Sequence, residues 1–288
     1  MANANSKRVA LVSGASRGAG KGIALALGAS GDTVYVTGRT ANEGDAPLPG
    51  TVHATAEEIS QRGGLGIAVV CDHADDAQVA SLLARIQEEQ GQLDILVNNV
   101  ADIHDDLIKP GGFWTKSIGL ANILDVGLRS AYVASYYAAA IMVAQKRGLI
   151  VNTGSFGARC YMHGPAYGAQ KAGLDKMAWD MAHDLKPHNV AVISLWMGML
   201  KTERTAVAVA EAPDQYAGFI EMAESAEFPG RVIDALFNSG NMMQKSGQTI
   251  IGAELAVELG IRDIDGKQPP SHRDMLGEPV QFSGAVVE

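Results

Sequence analysis

The stretch Val9-Ala10-Leu11-Val12-Ser13-Gly14-Ala15-Ser16-Arg17-Gly18-Ala19-Gly20 decides the fold. Its first four residues form an apolar run between polar neighbours, the pattern of a strand covered on both faces, as in a parallel sheet. The strand runs straight into glycines, and Ile23-Ala24-Leu25-Ala26-Leu27 then opens a helix. Strand, glycine turn and helix in that order make a phosphate cradle. Gly14, Gly18 and Gly20 allow backbone geometry barred to other residues, and the helix N-terminus favours the negative charge that the bare backbone approaches. Ser16 and Arg17 lie within the same turn and are candidates to touch the bound group.

Outward from this stretch, short apolar runs recur at residues 33–37, 65–70, 93–97, 149–151, 190–195 and 248–251. Between them lie segments of helical character at 79–89, 117–146 and from Tyr167 to a stop at Pro187. Regular alternation of the two predicts an α/β protein, a Rossmann-type doubly wound parallel sheet of about seven strands with helices on both faces. The 288 residues suit one domain over 1–260, with 203–228 as a substrate lid and 261–288 as a C-terminal extension. Two insertions stand out: a loop at 41–50, and residues 102–116, where Phe113 and Trp114 are candidates either for a wall of the substrate cleft or for a core plug.

With 47% hydrophobic and 19% charged residues, the chain has the composition of a soluble globular protein. Its net charge of −9 argues against nucleic acid or an anionic membrane surface as a partner. Two isolated cysteines, Cys71 and Cys160, are too few for a disulfide framework and fit a reducing, cytoplasmic setting. The polar opening residues lack the apolar core of a secretion signal, and no apolar run is long enough to span a membrane. His73 and His104 have no further ligand at a metal-binding spacing, so no metal is expected.

Chemistry is expected between Ser155 and Lys171. Tyr167 and Lys171 are four residues apart in a helical segment, so both side chains leave one face a turn apart. An ammonium beside a phenol favours the phenolate and moves its pKa down from about 10 towards the working range. Ser155, at the end of an apolar strand, is placed to steady a carbonyl oxygen or a developing alkoxide.

The Gly-x-x-x-Gly-x-Gly spacing at Gly14, Gly18 and Gly20, with Asn98-Asn99-Val100-Ala101, Ser155 and Tyr167-x-x-x-Lys171, resembles the short-chain dehydrogenase/reductase superfamily over about residues 7–260. The resemblance implies a nicotinamide cofactor, with Asp72 meeting the adenine amino group, His73 beside it, and Asn99 supporting the nicotinamide ribose side. Tyr167 and Lys171 would face the same ribose, and Gly198 and Thr202 the carboxamide or nearby phosphate. Gly38 stands where NAD-specific relatives often carry an acid. With Arg39 next to it and Arg17 in the glycine turn, two guanidinium groups are available for a 2′-phosphate, which favours NADP(H). Both arginines equally suit a solvated surface.

Departures from the family pattern are Val100, Ala101, Met197 in a usual proline slot, and Gly127 where many relatives have an asparagine of the proton relay. Gly127-Leu128-Arg129, Ser194-Leu195-Trp196 and the Gly260-to-Gly266 stretch are similar to the dehydrogenase/reductase member 1 subgroup, which implies steroid or xenobiotic carbonyl reduction. The apolar stripe of Leu174, Met177, Ala178, Met181, Ala182 and Leu185 suits core or subunit contact, and the family habit implies a homodimer or homotetramer. Lid residues such as Tyr216 suit an apolar substrate or a plain helical core. The expected function is NADPH-dependent reduction of an apolar ketone or aldehyde. An NAD-dependent alcohol dehydrogenase and a catalytically inactive nucleotide sensor or scaffold are the rivals, the latter having no need of an intact Ser155, Tyr167 and Lys171 set.

Overall fold

A computed structural model describes residues 7–211 and 213–287, except for the side chains of 215–217; the expectations for the opening residues and for Tyr216 lie outside it. The seven runs form one parallel sheet. In chain order its strands are β1 (Val9–Ser13), β2 (Thr33–Gly38), β3 (Leu65–Val70), β4 (Ile95–Asn98), β5 (Gly148–Gly154), β6 (Val190–Trp196) and, last, β9 (Thr249–Ile251). Their spatial order is β3-β2-β1-β4-β5-β6-β9. The order reverses between β1 and β4, which opens a crevice at the carboxyl edge of the sheet, the place where such folds bind ligands. Two very short strands, β7 (Leu200–Lys201) and β8 (Glu224–Ser225), pair separately. Two residues are too few to produce a readable apolar run, so the sequence carries no sign of them.

Helices cover both faces. On one side lie α1 (Gly18–Ala29), α2 (Val52–Gln61), α9 (Phe228–Asn238) and α10 (Gly252–Leu259), and Val12, Ile23, Val36, Ile59, Ile193 and Val232 belong to one core with them. On the other lie α3 (Asp76–Gln90), α5 (Ser130–Gln145) and α6 (Pro165–Leu185), which bury Leu11, Leu83, Ala138, Ile150 and Ala178. The edge strand β3 leaves Leu65 and Val70 exposed, as an unflanked edge must. The segment 203–228, expected as a lid, holds α7 (Glu203–Glu211) and α8 (Pro213–Glu221), followed by β8. Helix α9 begins at Phe228 and holds Pro229 in its first turn, as suits a proline whose missing N–H costs nothing there.

The continuous helix expected over 117–146 is broken. A 3-10 turn (Ile118–Ala121) and a short α4 (Asn122–Leu124) pass into a π-helical turn at Asp125–Arg129 before α5 begins. The cause is an insertion from α6: Gln170 donates to the Gly127 carbonyl at 3.0 Å, and a Cβ at Gly127 would lie 2.9 Å from the Gln170 amide nitrogen. A side chain entering the helix ladder is a recognised cause of such bulges.

The C-terminal extension docks on the domain. Asp263 is buried and accepts the Ser225 amide at 2.7 Å, Arg273 pairs with Glu254 at 2.6 Å, and the Phe282 ring lies 5.9 Å from that of Trp179. A short helix, α11 (Arg273–Leu276), brings Leu276 against Phe156 and Trp196.

Close helix packing sets one sharp requirement. A Cβ at Gly22 on α1 would fall 2.0 Å from the Ala226 carbonyl oxygen. Gly22→Ala is therefore expected to cost about 1–3 kcal/mol through overpacking, read as a lower urea midpoint at unchanged slope. An unmoved midpoint would show that the two segments do not approach so closely.

Candidate active site

The crevice is built by hydrogen bonds between β1 and β4. The Ser13 hydroxyl accepts the Asn99 and Val100 amides at 2.9 and 3.1 Å. The Asn99 side chain donates to the Ser13 and Gly14 carbonyls at 2.9 and 3.1 Å. Asn99 thus clasps the glycine turn. Gly14 sits at φ +65°, and a Cβ there would meet Val100 at 2.8 Å; at Gly20 it would lie 2.3 Å from the Gly14 carbonyl and 2.4 Å from Asn99. The cradle is bare because its neighbours leave no room for side chains, and this fits it to the backbone approach that a pyrophosphate needs. The Gly18 amide at the start of α1 currently donates to the Glu203 carboxylate at 2.9 Å.

Of the residues expected near adenine and ribose, Arg17 and His73 have partners within the chain. The Arg17 guanidinium is committed to the 41–50 loop, donating to the carbonyls of Pro49 and Gly50 at 2.9 and 2.8 Å and to the Thr40 hydroxyl at 3.1 Å. Arg17 is thus held by the loop and by Thr40, the residue after Arg39. Arg39 remains exposed at the end of β2, 3.8 Å from Asp102, and Ser16 faces the Gly38 slot. His73 is buried, with Nε2 2.8 Å from the Thr37 hydroxyl, and burial pushes its pKa down to about 4. Its ring is a neutral group buried against β2. Asp72 beside it accepts the Ala74 amide at 3.0 Å.

Ser155 ends β5 and caps a short 3-10 turn, its hydroxyl accepting the Gly157 amide at 3.2 Å and lying 3.7 Å from the Met162 sulfur. Tyr167 enters in the first turn of α6, whose Pro165 pre-sets the helix after His163 and Gly164 at positive φ. A Cβ at Gly157 would fall 2.4 Å from the Tyr167 ring, so that glycine is the seat of the tyrosine. Lys171 lies a turn further on, its ammonium 5.6 Å from the Tyr167 ring centre and 2.8 Å from the Thr153 carbonyl. Ser155, Tyr167 and Lys171 are thus together at the carboxyl edge of β5.

Their electrostatics differ from the simple expectation of an acidified phenol. Burial raises the Tyr167 phenol above its ordinary value, and a hydrogen bond with Ser155 opposes the rise. Burial also pushes Lys171 down to about 8, with Asp175 opposing the fall. Desolvation acts on both groups and outweighs their mutual influence, which an i, i+4 spacing read alone does not reveal.

A cavity of about 360 Å³ adjoins the N-terminus of α6, lined by Phe113, Trp114, Ile118, Leu120, Tyr161 and His163 among others. Phe113 and Trp114 belong to this cavity wall, and neither is buried in the core. The His163 ring stands edge-on to Tyr167 at 5.0 Å. On the opposite side Thr202 bonds the Thr205 hydroxyl at 3.0 Å, and the Gly198 amide donates at 2.9 Å to Glu224, a buried carboxylate.

The family model of short chain dehydrogenases matches residues 8–212. The chain belongs to the short-chain dehydrogenases. As a member it is an NAD(P)-dependent oxidoreductase. It is 37% identical over 271 residues to dehydrogenase/reductase SDR family member 1 of Homo sapiens, covering 90% of this chain and 84% of that protein. Similarity to 3-oxoacyl-(acyl-carrier-protein) reductase of Synechocystis sp. is 29% identity, over 78% of this chain and 87% of that one. Among solved structures, the 3-oxoacyl-(acyl-carrier protein) reductase of Brucella melitensis, in complex with NAD, shares the fold with a TM-score of 0.73 at 24% identity, covering 86% of this chain and 96% of that one.

Several residues of this short-chain dehydrogenase site escaped sequence reasoning: Gly157, Gln170, Asp175, Trp196 and Glu224. Glycine two residues after Ser155 and an acid four residues after Lys171 were the local signals; the others are ordinary residues whose partners lie far along the chain.

Glu224 yields a pH prediction. Burial pushes its pKa up to about 8, the Gly198 amide opposes this, and Asp263 adds to it. An unfolded glutamate ionises near 4.5, so between these values the folded chain holds the proton more tightly. The resulting stability is full below pH 4.5 and is lost as pH rises through about 8. Glu224→Gln is expected to flatten the decline of the urea midpoint across that window; a decline as steep as that of the parent would refute the assignment.

Proposed function

We propose that this protein is an NADPH-dependent carbonyl reductase acting on an apolar ketone or aldehyde, with Tyr167 as its proton donor. The observation that carries the reading is the convergence of Ser155, Tyr167 and Lys171 beside an apolar cavity and a glycine cradle. Gly14, Gly18, Gly20 and Ser16 would hold the diphosphate side, Asp72 the adenine, and Asn99, Gly198 and Thr202 the nicotinamide end. When bound, the nicotinamide supplies the hydride.

The remaining work falls to the chain. Ser155 donates its hydroxyl hydrogen to the carbonyl oxygen and holds it against Tyr167. Tyr167 delivers its phenolic proton to that oxygen as negative charge develops, and the Lys171 ammonium steadies the phenolate left behind. Apolar side chains at Phe113, Trp114, Ile118 and Leu120 line the adjoining cavity and favour a substrate with an apolar body. Glu203 has to give way at the Gly18 amide when a phosphate binds there, which couples the lid to the cofactor.

The preference for NADP(H) is supported by Gly38, which places no carboxylate at the end of β2, and by the exposed Arg39. Commitment of Arg17 to the 41–50 loop leaves one guanidinium for a 2′-phosphate and favours NAD as the second reading. Self-association is supported by Tyr132 and Tyr136, exposed at i, i+4 on α5, and by half-buried Met177 and Met181 on α6. A cytoplasmic setting is supported by the free thiols Cys71 and Cys160. Among the described residues no helix is long and apolar enough to cross a membrane.

Tyr167→Phe is expected to lower carbonyl-dependent NADPH oxidation by about 10²–10⁴-fold while the fluorescence titration with NADPH is unchanged. Turnover at the parental rate would exclude the mechanism. Arg39→Asp is expected to weaken NADPH about tenfold and leave NADH within a factor of two, a loss of roughly 1.4 kcal/mol. Equal effects on both nucleotides would favour the NAD reading.

A further inference from the structure

Asp175 is a buried carboxylate that the chemistry above does not use. It lies on α6 one turn beyond Lys171, so Tyr167, Lys171 and Asp175 follow one another along a single row of the helix. Only 3% of it is exposed. Its Oδ1 accepts the Ser194 hydroxyl at 2.6 Å, and both oxygens share the Trp196 indole N–H at 3.1 Å. The Thr249 hydroxyl on β9 also faces it. Isolated carboxylates are costly to bury, and donors converging from two strands are the arrangement that retains one as an anion.

Its counterpart is Lys171. That ammonium is buried and donates to a neutral group, the Thr153 carbonyl, and Asp175, buried one turn further along the same row of α6, is the next carboxylate on that face. The other end of the network reaches the serine. Trp196 is fully buried, its ring lies 5.0 Å from that of Phe156, which follows Ser155, and a Cβ at Gly154 would fall 2.4 Å from the indole. One carboxylate therefore bonds the residue packed under the Ser155 end of β5 and lies one helical turn from Lys171.

We propose that Asp175 is a positioning residue of the active site, whose carboxylate keeps Lys171 protonated across the interior and, through Trp196, seats the end of β5 that carries Ser155. The proposal rests on the reading of Lys171 as the working cation. Facing this pair are Tyr167 from the same helix, neutral Thr153 from β5, Ser194 and Trp196 from β6, and Thr249 from β9. Burial raises Asp175 to about 6, with Ser194 and Trp196 opposing, and lowers Lys171 to about 8. Between those values both are charged. Removing the carboxylate leaves desolvation of the ammonium unopposed, so Lys171 releases its proton at lower pH.

The test is a ¹³C NMR titration of the full-length protein labelled at lysine Cε, with the Lys171 resonance identified by its loss in Lys171→Ala. Asp175→Asn, which keeps the shape and an acceptor for Trp196, is expected to move the Lys171 midpoint down by about one pH unit. The alkaline limb of kcat/KM is expected to move with it. An unmoved Lys171 titration, with activity lowered equally at every pH, would show a merely structural role and overturn the proposal. If the variant does not fold, the parent protein serves: the Lys171 resonance should carry a second inflection near pH 6 from Asp175, and a single-step titration would overturn the proposal. The titration uses neither substrate nor cofactor. Its failure is therefore distinct from a failure of Tyr167→Phe to lower turnover.

Discussion

A hydrogen bond from the Lys171 ammonium to the Thr153 carbonyl ties the helix that bears Tyr167 to the strand that ends in Ser155. The rest of the site depends on that tie. The ammonium is buried, so it has to be satisfied inside the protein, and a strand carbonyl at the sheet edge is the acceptor within reach. A second tie runs beside it: Asn152 donates to the Leu174 carbonyl at 3.2 Å and accepts from Asn98 at 2.9 Å, which links β4, β5 and α6 in the interior. Because buried polar groups tolerate little displacement, these bonds fix the rotation and height of α6 on the sheet. Tyr167 then falls over Gly157 with no further guidance.

Glycines serve two purposes in this chain, and only one is conformational. At Gly14 the backbone adopts a positive φ that other residues resist. At Gly20, Gly127 and Gly157 the requirement comes from outside, from Asn99, Gln170 and the Tyr167 ring, each standing where a Cβ would be. Gly127 is instructive. Its empty slot holds the amide of Gln170, whose Oε1 is buried without a partner, so the missing side chain at one position and the polar group at the other are two sides of one packing arrangement.

Segments 203–228 and 261–288 are tied to the domain by acidic side chains. Glu203 reaches the Gly18 amide, Glu224 the Gly198 amide, and Asp263 the Ser225 amide. Each is a carboxylate on a backbone donor, and each joins segments distant in sequence. The extension thus packs beside the residue that follows Ser155, since Leu276 packs with Phe156 and Trp196, and the His272 ring stands 6.0 Å from Phe156.

What the sequence determined by itself was local or periodic. Apolar runs alternating with helical segments specified a parallel sheet, since strands covered on both faces have few other arrangements. A glycine turn between strand and helix located the cradle, and the i, i+4 spacing placed Tyr167 and Lys171 on one face. Tertiary structure alone decided the remainder: that Arg17 clasps the 41–50 loop, that His73 is buried, that a π-helical turn interrupts the helix before α5, and that Ser194 and Trp196 converge on Asp175. None of these follows from spacing along the chain, because each depends on a partner brought close by packing of separate elements. Burial, which sets the direction of the Tyr167 and Lys171 shifts, is likewise a property of the assembled fold.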